Sequence, residues 1–125
     1  MNRREEGSAV VDYLLVMVLL LPLFLGILQL ALVLHVRNTL ASAASEGARV
    51  AATLDGGPER GLAVTRESVR GAISEKFAED LSLHRVQLRG APAYEVRIHA
   101  RVPALGLGGP AVEVDVAGHA VLERR

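Results

Sequence analysis

The residue with the most chemistry to explain is Asp12. It lies in EEGSAVVDYLL, five residues after Gly7 and four after Ser8, at the mouth of a run that is apolar almost without a break. An aspartate deep in a membrane helix costs roughly 2.5–3.5 kcal/mol, and less near the interface, so a partner is expected for it. Two roles fit a carboxylate at this place. It can complement the positive end of the helix dipole at the lipid boundary. Positions 8 and 12 share a helix face, so it can also pair with a group one turn away.

No other side chains form a comparable pattern. His35, His84, His99 and His119 are scattered, and none has the i, i+4 partner of a helical zinc site. His99 and His119 could oppose each other across two strands, although a place on a solvated face explains them more simply. The glycine-rich LGLGG at 105–109 lacks GK[ST] and a following helix, and no serine stands in a GxSxG context. Glu79, Asp80, Glu113 and Asp115 read as solvated charges. Cysteine is absent, which removes disulfides, thiolate metal sites and thiol nucleophiles. The chain is therefore expected to be no enzyme, with no catalytic residue, metal or cofactor.

Charge and aromatic content narrow the partners. The net charge is +0 and aromatics make up 3% of the 125 residues, so neither phosphate attraction nor base stacking points to nucleic acid. Lys76 is the only lysine among many arginines, as in a G+C-rich bacterial genome.

The element that carries Asp12 is a helix long enough to cross a bilayer. Leu14 to Leu34 reads LLVMVLLLPLFLGILQLALVL, with Gln29 as its one strongly polar side chain. At 1.5 Å per residue this spans roughly 31 Å, the thickness of a hydrocarbon core. Pro22 is expected to kink the helix, which membrane spans tolerate. Ala41-Ser42-Ala43 offers a signal-type cut, but the apolar core is too long for a signal peptide and is separated from that site by His35, Arg37 and Asn38. An uncleaved anchor is the better reading. Arg3 and Arg4 before the span are matched by Arg37 and Arg49 after it, so charge alone does not orient it.

The rest of the chain predicts a small α+β domain. The alanine-rich NTLASAASEGARVAATLDGG continues the helix to about Leu54, where Gly56-Gly57-Pro58 is a stop. Ala44, Ala48 and Ala52, four apart, offer a small-residue row for close packing, or express helix propensity alone. A second helix is expected from Thr65 or Arg66 to about Leu81, on the period of Val69, Ala72, Ile73, Phe77 and Leu81, with Thr65 as N-cap and Glu67 in the first turn. Val86 and Leu88 start a strand, and Gly90-Ala91-Pro92 turns it. Next, Tyr94, Val96, Ile98, Ala100 and Val102 alternate with Glu95, Arg97, His99 and Arg101. Val112, Val114 and Val116 repeat the pattern against Glu113 and Asp115, with a bend at Gly118. The predicted fold is thus α+β: a long N-terminal transmembrane helix running into a second helix and an antiparallel sheet of about three strands.

The stretch GSAVVDYLLVMVLLLPLFLGILQLALV followed by ASEGARVAA resembles the TadE-like family of minor pilins and pseudopilins of tight-adherence (Tad, Flp-type) type IV pilus systems. The likeness covers roughly residues 4–54. It rests on a charged leader closing on Gly7, an acid five residues later, an apolar helix interrupted by proline, and Glu46-Gly47-Ala48-Arg49. The resemblance implies a leader of residues 1–7 cut by a prepilin peptidase between Gly7 and Ser8. It further implies a transmembrane and assembly helix over 8–36 and an extracytoplasmic domain over 37–125. The N-terminus would lie on the cytoplasmic side of a bacterial membrane, and the partners would be the peptidase, other pilin subunits, Tad assembly-platform proteins and the lipid bilayer. The implied cut would expose an ammonium at Ser8 for Asp12 to pair with. Asp12-Tyr13, the implied assembly and N-terminus pairing position, stands where the family has glutamate followed by Phe or Tyr, with aspartate one methylene shorter. The competing expectation is an uncleaved single-pass anchor displaying a binding domain. A weaker one is an enzyme using His99 or His119.

Overall fold

A computed structural model describes residues 3–104 and 110–124. The order is α1 (Arg3–Ala52), α2 (Pro58–Ala72), a 3-10 turn (Glu75–Ala78), β1 (Asp80–Leu88), β2 (Ala91–Pro103) and β3 (Ala111–Val121). The strands form one antiparallel sheet in the order β1-β2-β3. This is the expected α+β architecture. LGLGG, at 105–109, lies outside the described residues.

α1 is a single helix of 50 residues, roughly 75 Å long, and it runs through Pro22 without a break. Its two halves obey different rules. Up to Leu28 every described residue is exposed and the apolar side chains point all round. Beyond that, Val36, Leu40, Ala43, Ala44, Gly47, Ala48, Ala51 and Ala52 are buried on one face at the helical period. This face lies on the sheet and on α2. Leu40 and Val36 meet Val96, Ile98, Ala100, Val102, Val114 and Val116 in the core, with Val69 and Phe77 closing one side.

Glycine sets how near the layers approach. A Cβ on Gly118 would stand 2.3 Å from the Ser45 nitrogen and 2.4 Å from the Ala44 carbonyl carbon, so the backbone of α1 rests directly on β3. The strand does not bend there as the sequence suggests. Gly118 stays in register opposite Val96, and its missing side chain makes room for a helix. The α1–α2 crossing is built the same way. Gly47 and Ala51 face Gly61 and Thr65, and a Cβ on Gly47 would overlap the Thr65 hydroxyl. The alanine row is therefore a packing surface, with Ala44 and Ala48 fully buried.

Three boundaries differ from expectation. Gly56-Gly57-Pro58 ends α1 but also starts α2. Gly57 has φ 106° and donates to the Ala51 carbonyl, while Pro58, with no N–H to satisfy, enters the first turn of the new helix. Thr65 is consequently no cap. It is buried at mid-helix, and its hydroxyl donates to the Gly61 carbonyl at 2.9 Å. Likewise the second helix stops at Ala72, because Asp80–Leu88 pairs along its whole length with β2, and sheet pairing outweighs the helical period of Phe77 and Leu81. The hairpin turn is Arg89-Gly90, with φ 51° and 83°, in place of Gly90-Ala91-Pro92. Two positive φ values mark the primed turn that suits strand twist.

Gly118→Ala and Gly47→Ala are each expected to cost on the order of 2–3 kcal/mol through overpacking. Gly71→Ala, where an added Cβ meets nothing inside α2, should hold or raise stability. Thermal unfolding of the detergent-solubilised chain, followed by circular dichroism, checks the contrast.

Candidate functional site

Gly7, Ser8, Asp12 and Tyr13 all lie in the first turns of α1 and are exposed. A Cβ on Gly7 would meet nothing within 4 Å. The fold therefore gives no reason for a glycine there, although glycine in a helix interior costs about 1 kcal/mol relative to alanine. Ser8 and Asp12 stand one turn apart along one side of the helix.

The stretch exposed on every side ends at Leu28, earlier than hydropathy implies, although Leu30 and Leu34 remain exposed beyond it. Gln29 Nε2 donates to the Pro103 carbonyl at 3.4 Å, Leu32 and Val33 pack partly against the core, and Val36 is buried. The domain thus takes hold of α1 at Gln29. A hydrocarbon core of about 30 Å needs about 20 helical residues, and counting back from Leu28 gives residues 9–28. On that count Asp12 would lie roughly 5 Å inside the opposite boundary, where the run from Leu14 to Leu34 would have left it outside. The signal was present in the sequence: Gln29 is the one strongly polar residue of that run.

Glu46-Gly47-Ala48-Arg49 sits at the junction of α1, α2 and the sheet. Gly47 admits α2, Ala48 is fully buried, Glu46 accepts a hydrogen bond from Ser68 Oγ at 3.1 Å, and Arg49 is exposed. Two of the four residues act by being small. Gly61, Thr65 and Gly118, which complete the junction, carry no motif that singles them out in sequence.

On the outer face of the sheet the histidines do not oppose each other. Each pairs with a carboxylate directly across the strands, His99 Nδ1 with Asp115 Oδ1 and His119 Nε2 with Glu95 Oε2, both at 2.6 Å. Glu95 also accepts from Arg97 Nε and is 8% exposed, so it is a buried acid in an otherwise wet row. The Arg97 hydrogen bond, opposed by burial and aided by His119, holds the Glu95 carboxyl below its ordinary value. The Asp115 hydrogen bond raises His99. Ser82, Arg97, His99 and Asp115 line a shallow cavity of about 400 Å³. No three His, Asp or Glu side chains among the described residues cluster closely enough to hold a metal. His35 and His84 are exposed.

These shifts set a pH window. A lowered carboxyl stabilises the fold above its ordinary pKa of 4.5, and the contribution is lost as pH falls. A raised histidine stabilises below 6.5, and that contribution is lost as pH climbs through the raised value. Both are present between those limits. Glu95→Gln should flatten the fall in thermal midpoint on acidification, and His99→Gln the fall from near neutrality upward. Midpoints measured from pH 3 to 9 in detergent check both slopes.

No curated protein matches the chain, and no solved structure does. The family model described as TadE-like protein matches residues 7–49, from Gly7 through the packing junction. Members of that family are tied to Tad pili and are generally non-enzymatic, and the exposed apolar helix fits a membrane-anchored protein. Over residues 7–49, the membrane half of α1 and the part on which the domain is built, the chain is similar to the TadE-like family.

Proposed function

We propose that the chain is a minor pilin or pseudopilin of a Tad-type pilus, cut by a prepilin peptidase between Gly7 and Ser8. In this reading α1 is both membrane anchor and assembly surface, with its N-terminus in the cytoplasm and residues 37–125 outside. The observation that carries it is the continuity of α1. One rod of 50 residues joins an apolar segment exposed on every side to a half that is locked into the domain, and the TadE-like match covers both. A domain fixed to its helix moves as one body when the helix leaves lipid for neighbouring subunits.

Two further features support the processing step. Gly7 costs helix stability with no packing in return, as expected of a residue selected by a peptidase. Cleavage after it would create an ammonium at Ser8, charged at neutral pH. That cation would lie one turn from Asp12, the carboxylate that this reading puts inside the apolar layer. Asp12 and the Ser8 amine would pair within a chain or between neighbours, and the Tad assembly platform and other pilins are the partners such a helix would meet.

In membranes from a strain with an active prepilin peptidase, the intact mass should begin at Ser8, and Gly7→Asp should leave the leader attached. An intact leader in the unaltered chain would sink the pilin reading in favour of a plain anchor with a binding domain. Asp12→Ala should be cut normally yet reduce pilus assembly at least several-fold, counted by electron microscopy. Unchanged assembly would reduce Asp12 to complementing the helix dipole.

A further inference from the structure

The sheet is not the same at its two ends. α1 runs beside β3 in the same direction. Val33 and Arg37 share a cavity wall with Val112–Asp115, Gly118 lies on Ala44 and Ser45, and the Glu123 N–H donates to the Ala52 carbonyl at 2.9 Å. The β2–β3 end is therefore the end beside the membrane segment, and Gln29 fastens it there through Pro103. From Val102 to Val112 the sequence holds no charged side chain, and Val112 is 46% exposed. The far end carries Asp55, Arg89, Glu123 and Arg124.

Height along α1 decides what meets this apolar end. With the hydrocarbon boundary at Leu28, Gln29 and Pro103 stand at the base of a headgroup layer some 5–8 Å deep. Arg37 lies roughly 12 Å farther along the axis. Arg101 is exposed on the opposite face of the sheet, in register with Glu113, the first charged residue of β3. Long arginine side chains reach back toward phosphate while their stems cover apolar surface. Arginines thus flank the uncharged end on both faces of the sheet, Arg37 sharing a cavity with Glu113 and Asp115 and Arg101 standing across from Glu113.

The geometry points to a second membrane contact: the β2–β3 end of the sheet, with Pro103, Ala111 and Val112, rests in the headgroup layer of the bilayer that α1 crosses, and Arg37 and Arg101 meet its phosphates. The occupant is lipid because the apolar surface is continuous with the spanning helix and is held at that height by Gln29. The contact requires only that α1 spans a membrane, so it stands or falls independently of leader cleavage and pilus assembly. It fixes the tilt of the domain over the membrane before any partner is met.

The absence of cysteine makes the test direct. Val112→Cys and Arg89→Cys, in the full chain, each provide one site for a polarity-sensitive fluorophore at opposite ends of the sheet. Both are reconstituted in vesicles of phosphatidylcholine and phosphatidylglycerol, with and without brominated acyl chains. The Val112 probe should emit at shorter wavelength and be quenched by brominated lipid at least threefold more than the Arg89 probe. Equal quenching, with water-like emission at both, overturns the contact. A blue-shifted Val112 probe that lipid bromine does not quench, and whose shift fades as protein is diluted in lipid, also overturns it and assigns the surface to a second copy. Matching circular dichroism spectra for both labelled chains show that each is folded.

Discussion

The contact on which the rest depends is the meeting of two backbones, α1 at Ala44–Ser45 and β3 at Gly118. No side chain separates them. Close approach there sets the depth at which Leu40 and Val36 enter the sheet, and so the fit of the valines and Ile98 around them. The α1–α2 crossing repeats the device with Gly47 and Gly61. A chain with 3% aromatic residues has few large side chains with which to build a thick core. It gains packing density by bringing its layers together, where dispersion contacts are numerous and small errors in volume are felt.

That economy has a mechanical consequence. Side chains that reach across a gap can rearrange, whereas backbones in contact leave little freedom to slide. The domain is bound to α1 from Gln29 to Ala52, over nearly half of the helix. The exposed apolar half continues the same rod without an intervening loop. Pro22 removes one N–H from the ladder but leaves the helix unbroken, so local softening falls inside the lipid-facing part and not at the junction with the domain. Whatever the membrane half contacts, the orientation of the sheet follows.

Much of this could be read from the sequence, and the failures have a common cause. Local pattern identified α1, the alternating strand of β2 and the small-residue row, because each is periodic within its own segment. The start of α2 at Pro58, its end at Ala72 and the turn at Arg89-Gly90 went the other way. Each depends on a partner distant in sequence: β2 for Asp80–Leu88, α1 for Thr65. Gly118 failed in the same manner, since a glycine in a strand signals a bend or a close approach and only the position of α1 decides which. At the candidate site, Gly7 and Asp12 stood out as local oddities, a glycine and an acid at the edge of an apolar run. Gln29 was visible as a lone polar residue, but its partner Pro103 lies 74 positions away.

The match over residues 7–49 can be understood through these contacts. It covers a lipid-facing segment and a packing face, and it ends before α2 and the sheet. Within it, Gly47 and Ala48 have a size requirement imposed by α2 and the sheet, while the apolar residues before Gln29 need only be apolar. Gly7 and Asp12 stand apart because neither packing nor hydropathy asks for them. A glycine that weakens its helix and an acid at the edge of an apolar run are both unfavourable for an isolated folded chain. Residues that the fold itself does not ask for are best explained by something outside it, and that is the ground on which a cut at Gly7 and a partner for Asp12 are proposed.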